Sequence, residues 1–335
     1  MTPIDLITMG RSSIDLYSNQ MNVPFVEIES FAAYVGGSPT NIAVGAHRLG
    51  LETALLTALG DDKTGDFVLN FLEREGIVTK YIPRKVGHRT SAAVLGIEAP
   101  DRLPLTFYRD NCADVEITID DVMATPITEA RALEISGTGL AKEPAKSATF
   151  FAAERAKAAG KTVFMDIDFR ANQWHDPRAF GVNVRAILPL VDVAIGTEEE
   201  INAVGLTELA DLRIENSQIQ APTIHGNLEA NIKMILERGP QALVVKTGSR
   251  GAEVHLRSGE VITVPGFPVE VYNTVGAGDA FGSGFIYGRM TGHDWYKSAR
   301  LGNACGAIVV TRHACANAMP TLEEVMTLIE SRGGF

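Results

Sequence analysis

From Arg131 onward the chain repeats one unit: a short apolar run, a helix-length stretch, then another apolar run. Ala132-Leu133-Glu134-Ile135, Thr162-Val163-Phe164-Met165, Val191-Asp192-Val193-Ala194-Ile195 and Ala242-Leu243-Val244-Val245-Lys246 read as strands, and residues 145–159 as the clearest helix. Apolar strands separated by helices demand a mainly parallel sheet covered on both faces. Such a sheet dictates where a ligand goes, into the crevice beyond the carboxyl ends of the strands. The 335 residues, 45% of them hydrophobic, supply the core for one large α/β domain.

The N-terminal part reads differently. Leu6-Ile7-Thr8-Met9 is a first strand ended by Gly10. Residues 12–35 and 90–110 are short mixed runs without helical period, which predict an antiparallel flap rather than a layer of the main sheet. Between them a helix starts at Ser38, with Pro39 at its first position and Ile42, Val44 and Leu49 as apolar contacts. A strand over 53–59 and a helix over 65–74 follow, and the polar stretch 205–227 reads as a surface excursion.

The net charge of −11 argues against broad nucleic-acid binding and against attraction to anionic membranes. Any anionic ligand must therefore be met by local cations. Cys112, Cys305 and Cys315 have no metal-ligand spacing, and an odd number argues against a disulfide framework, so a reducing cytoplasm is expected. The N-terminus lacks the pattern of a signal peptide, and no stretch is long and apolar enough to span a bilayer.

One run carries chemistry. Asn273-Thr274-Val275-Gly276-Ala277-Gly278-Asp279 precedes the apolar helical stretch Ala280-Phe281-Gly282-Ser283-Gly284-Phe285-Ile286. A glycine-rich turn opening a helix leaves backbone N–H groups unpaired at the positive end of the dipole, which is an anion hole. Asp279 stands at its rim, either as a helix cap or as a base for an attacking hydroxyl. The form G-x-x-x-x-G-K-[ST] is absent, so the chain is no P-loop enzyme. Gly10-Arg11-Ser12-Ser13-Ile14-Asp15 offers one glycine after the first strand, against a dinucleotide fold. Thr247-Gly248-Ser249-Arg250-Gly251 follows a strand, either as a hairpin turn or as a loop approached by nucleotide phosphates.

The signature resembles that of the ribokinase-like (PfkB) carbohydrate kinases, usually D-T-x-G-A-G-D, and Gly36-Gly37-Ser38-Pro39-Thr40-Asn41 is similar to the family's second glycine pair. The resemblance covers nearly the whole chain. It implies a ribokinase-like α/β fold over 1–335, with a β lid from about 12–35 and 90–110, and ATP and Mg²⁺ as donor and cofactor. It also implies Gly276, Ala277 and Gly278 on the transferring phosphoryl, Asp279 as base, and Asp15, Gly36, Gly37 and Asn41 at the acceptor. Thr247, Gly248 and Gly251 would serve the nucleotide, Asn303 the adenine pocket, and Glu199 the magnesium. Relatives usually place Asn where Gly196 stands. Many relatives pair as homodimers through the lid, which is the expectation here.

Tyr108-Arg109-Asp110-Asn111, Ser136-Gly137-Thr138-Gly139-Leu140-Ala141, Asp166-Ile167-Asp168-Phe169-Arg170 and Ala318-Met319-Pro320-Thr321 look most like the branch serving myo-inositol breakdown. That branch phosphorylates the terminal hydroxyl of 5-dehydro-2-deoxy-D-gluconate. Arg109 and Arg170 fit a carboxylate-bearing acceptor, because a guanidinium fork matches a carboxylate; otherwise each serves an internal ion pair with Asp166 or Asp168. Alternatives are a 2-dehydro-3-deoxygluconate kinase, a fructokinase, or a non-catalytic sugar-binding protein. Asn273 replaces the signature's first Asp, which in relatives helps hold potassium, so weak stimulation by K⁺ is expected.

Overall fold

The computed structural model describes residues 3–99, 102–213 and 222–335. Its main sheet has eight strands in the spatial order Thr53–Leu56, Leu6–Met9, Ala132–Ser136, Thr162–Asp166, Val193–Thr197, Ala242–Lys246, Gly251–Leu256 and Val261–Pro265. The first six are parallel, and the last two return antiparallel. Successive residues of the parallel strands enter opposite cores, as the period of two requires. Ile7, Leu133, Val163, Ala194 and Leu243 meet the helices Ala145–Ala158, Pro177–Ile187, Glu198–Gly205 and Leu228–Arg238 on one face. Leu6, Ala132, Phe164, Val193 and Ala242 meet the other face, against Ile42 and Ala46 of the helix Ser38–Arg48 and Phe281 and Phe285 of the helix Ala277–Met290.

The two flap stretches meet in a separate four-stranded sheet, ordered Phe31–Gly36, Ser13–Met21, Ser91–Ile97 and Leu105–Tyr108. It departs from the antiparallel expectation in its middle: Ser13–Met21 and Ser91–Ile97 run parallel, and only the outer pairs are antiparallel. Between those two strands the chain passes through Ser38–Arg48, Thr53–Leu56 and the helix Lys63–Arg74, and a crossover of that length returns a strand in the same direction. Tyr17, Leu95, Ile97 and Leu103 give this sheet a small core, shared with Cys315.

Two boundaries also differ. The strand expected over 53–59 breaks after Leu56, and Leu59–Gly60 pairs instead with Arg84–Lys85. The polar stretch 205–227 is only partly an excursion: Gly205 ends a helix, Leu212–Arg213 pairs with Thr223–Ile224, and Ile224 is buried. Residues 214–221 of that stretch and 100–101 of the flap lie outside the described residues. No helix among the described residues is long and apolar enough to cross a membrane.

Candidate active site

A cleft of about 790 Å³ lies beyond the carboxyl ends of the parallel strands, between the main sheet and the small one. At its centre the helix Ala277–Met290 begins. Gly276 takes a left-handed φ of 78°, and no side chain caps the turn. A first turn without a capping side chain keeps its N–H groups for another partner. Gly276, Ala277, Gly278 and Asp279 all line the cleft. Asp279 is therefore no N-cap. Its carboxylate accepts from Asn41 Nδ2 at 2.6 Å, which joins the two helices carrying the glycine motifs. Burial lifts the Asp279 carboxyl above its ordinary range, the nearby Asp168 charge adds to the rise, and Asn41 opposes it. A carboxylate so raised is a better proton acceptor near neutral pH.

Asp15 reaches the same cleft from the strand Ser13–Met21. Its Oδ1 accepts from Ser13 Oγ at 2.7 Å, and Ser13 Oγ accepts from Arg11 at 2.7 Å. Burial raises its pKa against the opposing effects of Arg11 and Ser13. Gly36 does not line the cleft. A Cβ there would lie 2.0 Å from Asp15 Oδ2, so its missing side chain makes room for the carboxylate. Gly37 does line the cleft, at a φ of 109°, and a Cβ on it would strike the Arg11 carbonyl at 2.3 Å.

The two arginines separate. Arg170 lines the cleft, with its guanidinium 2.9 Å from Asp168 Oδ1 and donating to the Phe169 carbonyl at 3.1 Å. Asp168 is buried at a φ of 41°, and Ser136 and Thr138 donate to its Oδ2 at 3.0 and 3.2 Å. A non-glycine residue in that region costs about 1–2 kcal/mol and persists only where its surroundings hold it. Burial works against the Asp168 charge, but Arg170, Arg11 and Ser136 outweigh it and keep the carboxyl low. Arg109, by contrast, is not on the cleft wall. It is buried in an ion pair with Asp114 at 2.6 Å and also donates to the Thr138 carbonyl and to Gln173. Of the two readings for Arg109, the structure places it in an internal ion pair, away from the cleft lining. Its partner is Asp114, because residues 113–116 form a short helical turn beside it.

Elsewhere along the cleft, Thr247 donates its backbone N–H to the Gly251 carbonyl at 2.9 Å, closing a turn between two antiparallel strands. Gly248 and Gly251 have φ of 62° and 108° and line the cleft, whereas Thr247 does not. Asn303 lines it too, and donates to the Val264 and Pro265 carbonyls at 3.1 Å each. Phe267, Val269, Ala307 and Val310 add an apolar slot beside it. Glu199 is exposed on the wall, while Glu198 is held by Arg250 at 2.7 Å. At Gly196 a Cβ would lie 2.9 Å from Ile167 Cδ1, so the usual Asn would require that side chain to shift.

Sequence reasoning missed the floor of the cleft. Lys246 Nζ lies 3.2 Å from Asp166 Oδ1 and 3.6 Å from Glu200 Oε2. Ser38 Oγ donates to Asp166 Oδ2 at 2.8 Å. Burial pushes Asp166 up to about 7, although Lys246 pulls the other way. The available signal was one charged residue ending an otherwise apolar strand, directly before the glycine turn.

The pfkB family carbohydrate kinase model matches residues 4–322. The chain is 36% identical over 330 residues to a 5-dehydro-2-deoxygluconokinase of Bacillus anthracis, covering 98% of this chain and 96% of that one. A protein of the same name from Geobacillus thermodenitrificans is 34% identical over 330 residues, covering 98% and 94%. Among solved structures, a fructokinase with bound ATP from Xylella fastidiosa superimposes with a TM-score of 0.83 at 26% identity, covering 98% of each chain. With the glycine helix start, the Asn41–Asp279 contact and this match over nearly its whole length, the chain belongs to the pfkB family of carbohydrate kinases.

Proposed function

We propose that this kinase transfers the γ-phosphoryl of ATP to the terminal hydroxyl of a sugar acid, 5-dehydro-2-deoxy-D-gluconate, giving its 6-phosphate. One observation carries the reading: a half-buried Asp279 with a raised pKa, at an uncapped glycine helix start, shares its cleft with Arg170, a cation on the acceptor side. Asp279 takes the proton of the attacking hydroxyl. The backbone at Gly276, Ala277 and Gly278 receives the negative charge of the phosphoryl group. Asp15 and Asn41 orient the sugar hydroxyls, with Gly37 allowing close approach. Arg170 keeps donors beyond its bond to Asp168, and a guanidinium with five N–H groups can serve a second carboxylate. The relatives' name supports the same acceptor.

Gly248, Gly251 and Asn303 would hold the nucleotide. Among the described residues no group of three His, Cys, Asp or Glu is arranged for a metal, and Glu199 is the exposed carboxylate on the wall. That fits Mg²⁺, which keeps waters and phosphate oxygens as ligands and needs one or two carboxylates. Bound Mg²⁺ would neutralise phosphate charge in a cleft rich in carboxylates. The small sheet would close over the sugar as a lid. Its exposed Phe31 and Tyr108 support a homodimer through that sheet, which sedimentation would test.

The deciding experiment measures ATP-dependent phosphorylation across 5-dehydro-2-deoxy-D-gluconate, 2-dehydro-3-deoxy-D-gluconate and fructose. The sugar-acid reading expects the first to have the highest kcat/KM. A better neutral ketohexose overturns it, and sugar binding without ATP turnover would make this a sensor rather than an enzyme.

A further inference from the structure

Among the described residues, three cations line the cleft: Arg11, Arg170 and Lys246. Two belong to the acceptor end. Arg11 lies over the Phe107 ring and donates to Ser13, and Arg170 is bound to Asp168. Lys246 stands apart from both. It ends the strand Ala242–Lys246, directly before the turn whose glycines line the nucleotide half. A Cβ built on Gly278 would lie 3.1 Å from its ammonium, so the charge sits against the peptide that opens the helix Ala277–Met290.

Two carboxylates hold that ammonium in place: Asp166 is fixed through its far oxygen, and Glu200 through the same oxygen that faces Lys246. Ser38 Oγ donates to Asp166, and the Thr197 backbone N–H donates to Glu200 at 2.7 Å. The Lys246 side chain is only 11% exposed, yet it reaches the cleft. An ammonium has three N–H donors; Asp166 takes one at 3.2 Å, and Glu200 at 3.6 Å is an ion-pair neighbour only, so donors remain for a ligand. A fixed donor aimed where charge develops, in a site poor in water, is worth far more than the same donor in solvent.

The geometry points to Lys246 as a further catalytic residue. It donates a charged hydrogen bond to the transferring phosphoryl group from below, opposite the backbone N–H groups of the helix start, with Asp166 and Glu200 as positioning residues. This rests on the kinase reading. The phosphoryl leaves its bridging oxygen and bonds to the sugar oxygen, the hydroxyl proton goes to Asp279, and Lys246 stays protonated throughout.

The test compares wild type, Lys246→Met, Lys246→Arg and the double variant Lys246→Met/Asp166→Asn, which removes the ammonium together with its hydrogen-bonded carboxylate and leaves Glu200 held by the Thr197 N–H, so that folding depends less on an unpaired charge. Lys246→Met should lower kcat by about 10²–10³-fold with both KM values within about threefold, and Arg should restore about tenfold of the loss. Calorimetry adds a second readout. ADP with aluminium fluoride, a stand-in for the phosphoryl in flight, should bind wild type much more tightly than ADP alone, and the Met variants should lose that difference. A folded Met variant with kcat within about fivefold of wild type overturns the assignment, as does equal weakening of ADP with and without the fluoride. A wild type that phosphorylates no acceptor overturns the kinase reading itself, a result visible before any variant is made.

Discussion

The two ends of the cleft are built in opposite ways. The end proposed for the phosphoryl group comes from one helix start and the last residues of parallel strands, elements fixed by the core on both sides. The end proposed for the acceptor gathers Asp15 from the small sheet, Gly37 and Asn41 from a helix start, and Arg170 from the turn after a core strand. The first is mostly backbone geometry. The second is a set of charged side chains whose meaning depends on which way each one faces. Arg109 and Arg170 make the point: similar in sequence setting, one faces the cleft and the other is locked behind it.

The phosphoryl end should yield the largest effect. Asp279→Asn is expected to keep ATP binding and lose about 10²–10⁴-fold in turnover, the usual worth of a positioned base. Steady-state kinetics with a nucleotide-binding measurement would check it, and near-normal turnover would reduce Asp279 to a partner of Asn41. At the acceptor end, Arg170→Leu should weaken sugar-acid use by about 10–100-fold, from losing a charged hydrogen bond of about 1.5–3 kcal/mol, with ATP KM unchanged. Arg109→Leu should act on stability instead. It leaves Asp114 buried without its cation, a loss of about 3–5 kcal/mol, seen as a lower Tm. If both variants lose only sugar-acid affinity, the contrast between the two arginines collapses.

A third effect follows from the floor. Asp166 has a folded-state pKa raised to about 7, above the ordinary carboxylate value of 3.8. The folded protein thus binds a proton that the unfolded chain has already released between those values. Its stabilising contribution is complete below about pH 4 and is lost as pH rises through about 7. Tm should therefore fall between pH 5 and 8 by more in wild type than in Asp166→Asn. Glu134, fully buried and with neither carboxyl oxygen in a regular hydrogen bond, is raised well above its ordinary value by burial and the Asp166 charge, and adds a slope of the same sign. The smallest effect concerns potassium. Asn273 is buried, its Oδ1 accepting from the Val275 N–H at 3.0 Å and its Nδ2 donating to the Arg312 carbonyl at 2.9 Å. That amide engages the carbonyl and brings no charge to a cation. Initial rates in K⁺ and in a bulky organic cation at equal ionic strength should differ by less than about threefold, and a tenfold stimulation would show a site that survives without the carboxylate.

The sequence made some of this plain because backbone chemistry has a spelling. Glycines before an apolar helical run, and apolar strands alternating with helices, each have one economical structure, and the parallel sheet and the uncapped helix start both follow from them. Side-chain orientation has no such spelling. Nothing in Tyr108-Arg109-Asp110-Asn111 says that the guanidinium turns toward Asp114, and nothing near Lys246 says that it reaches under Gly278. The parallel pair at the heart of the small sheet was hidden for a different reason. It depends on how the chain between the two flaps folds, not on the flaps themselves.

The small sheet also bears on the order of assembly. Ser13–Met21 leaves the ribosome with residues 22–90 still to follow before Ser91–Ile97 appears, and its partner arrives only after a helix, a strand and a second helix have closed against the core. The main sheet also joins distant strands, Leu6–Met9 with Ala132–Ser136, but it is buried between two helical layers, whereas this sheet has only a small core of its own. The small sheet is therefore expected to be the last part to gain hydrogen-exchange protection during refolding and the first to lose it in the native protein, at opening energies below that of the core sheet. Pulse-labelling that found Tyr17 and Leu95 protected before Leu133 and Val244 would reverse this order. A refolding enzyme would then complete its phosphate-binding end before it could hold a sugar.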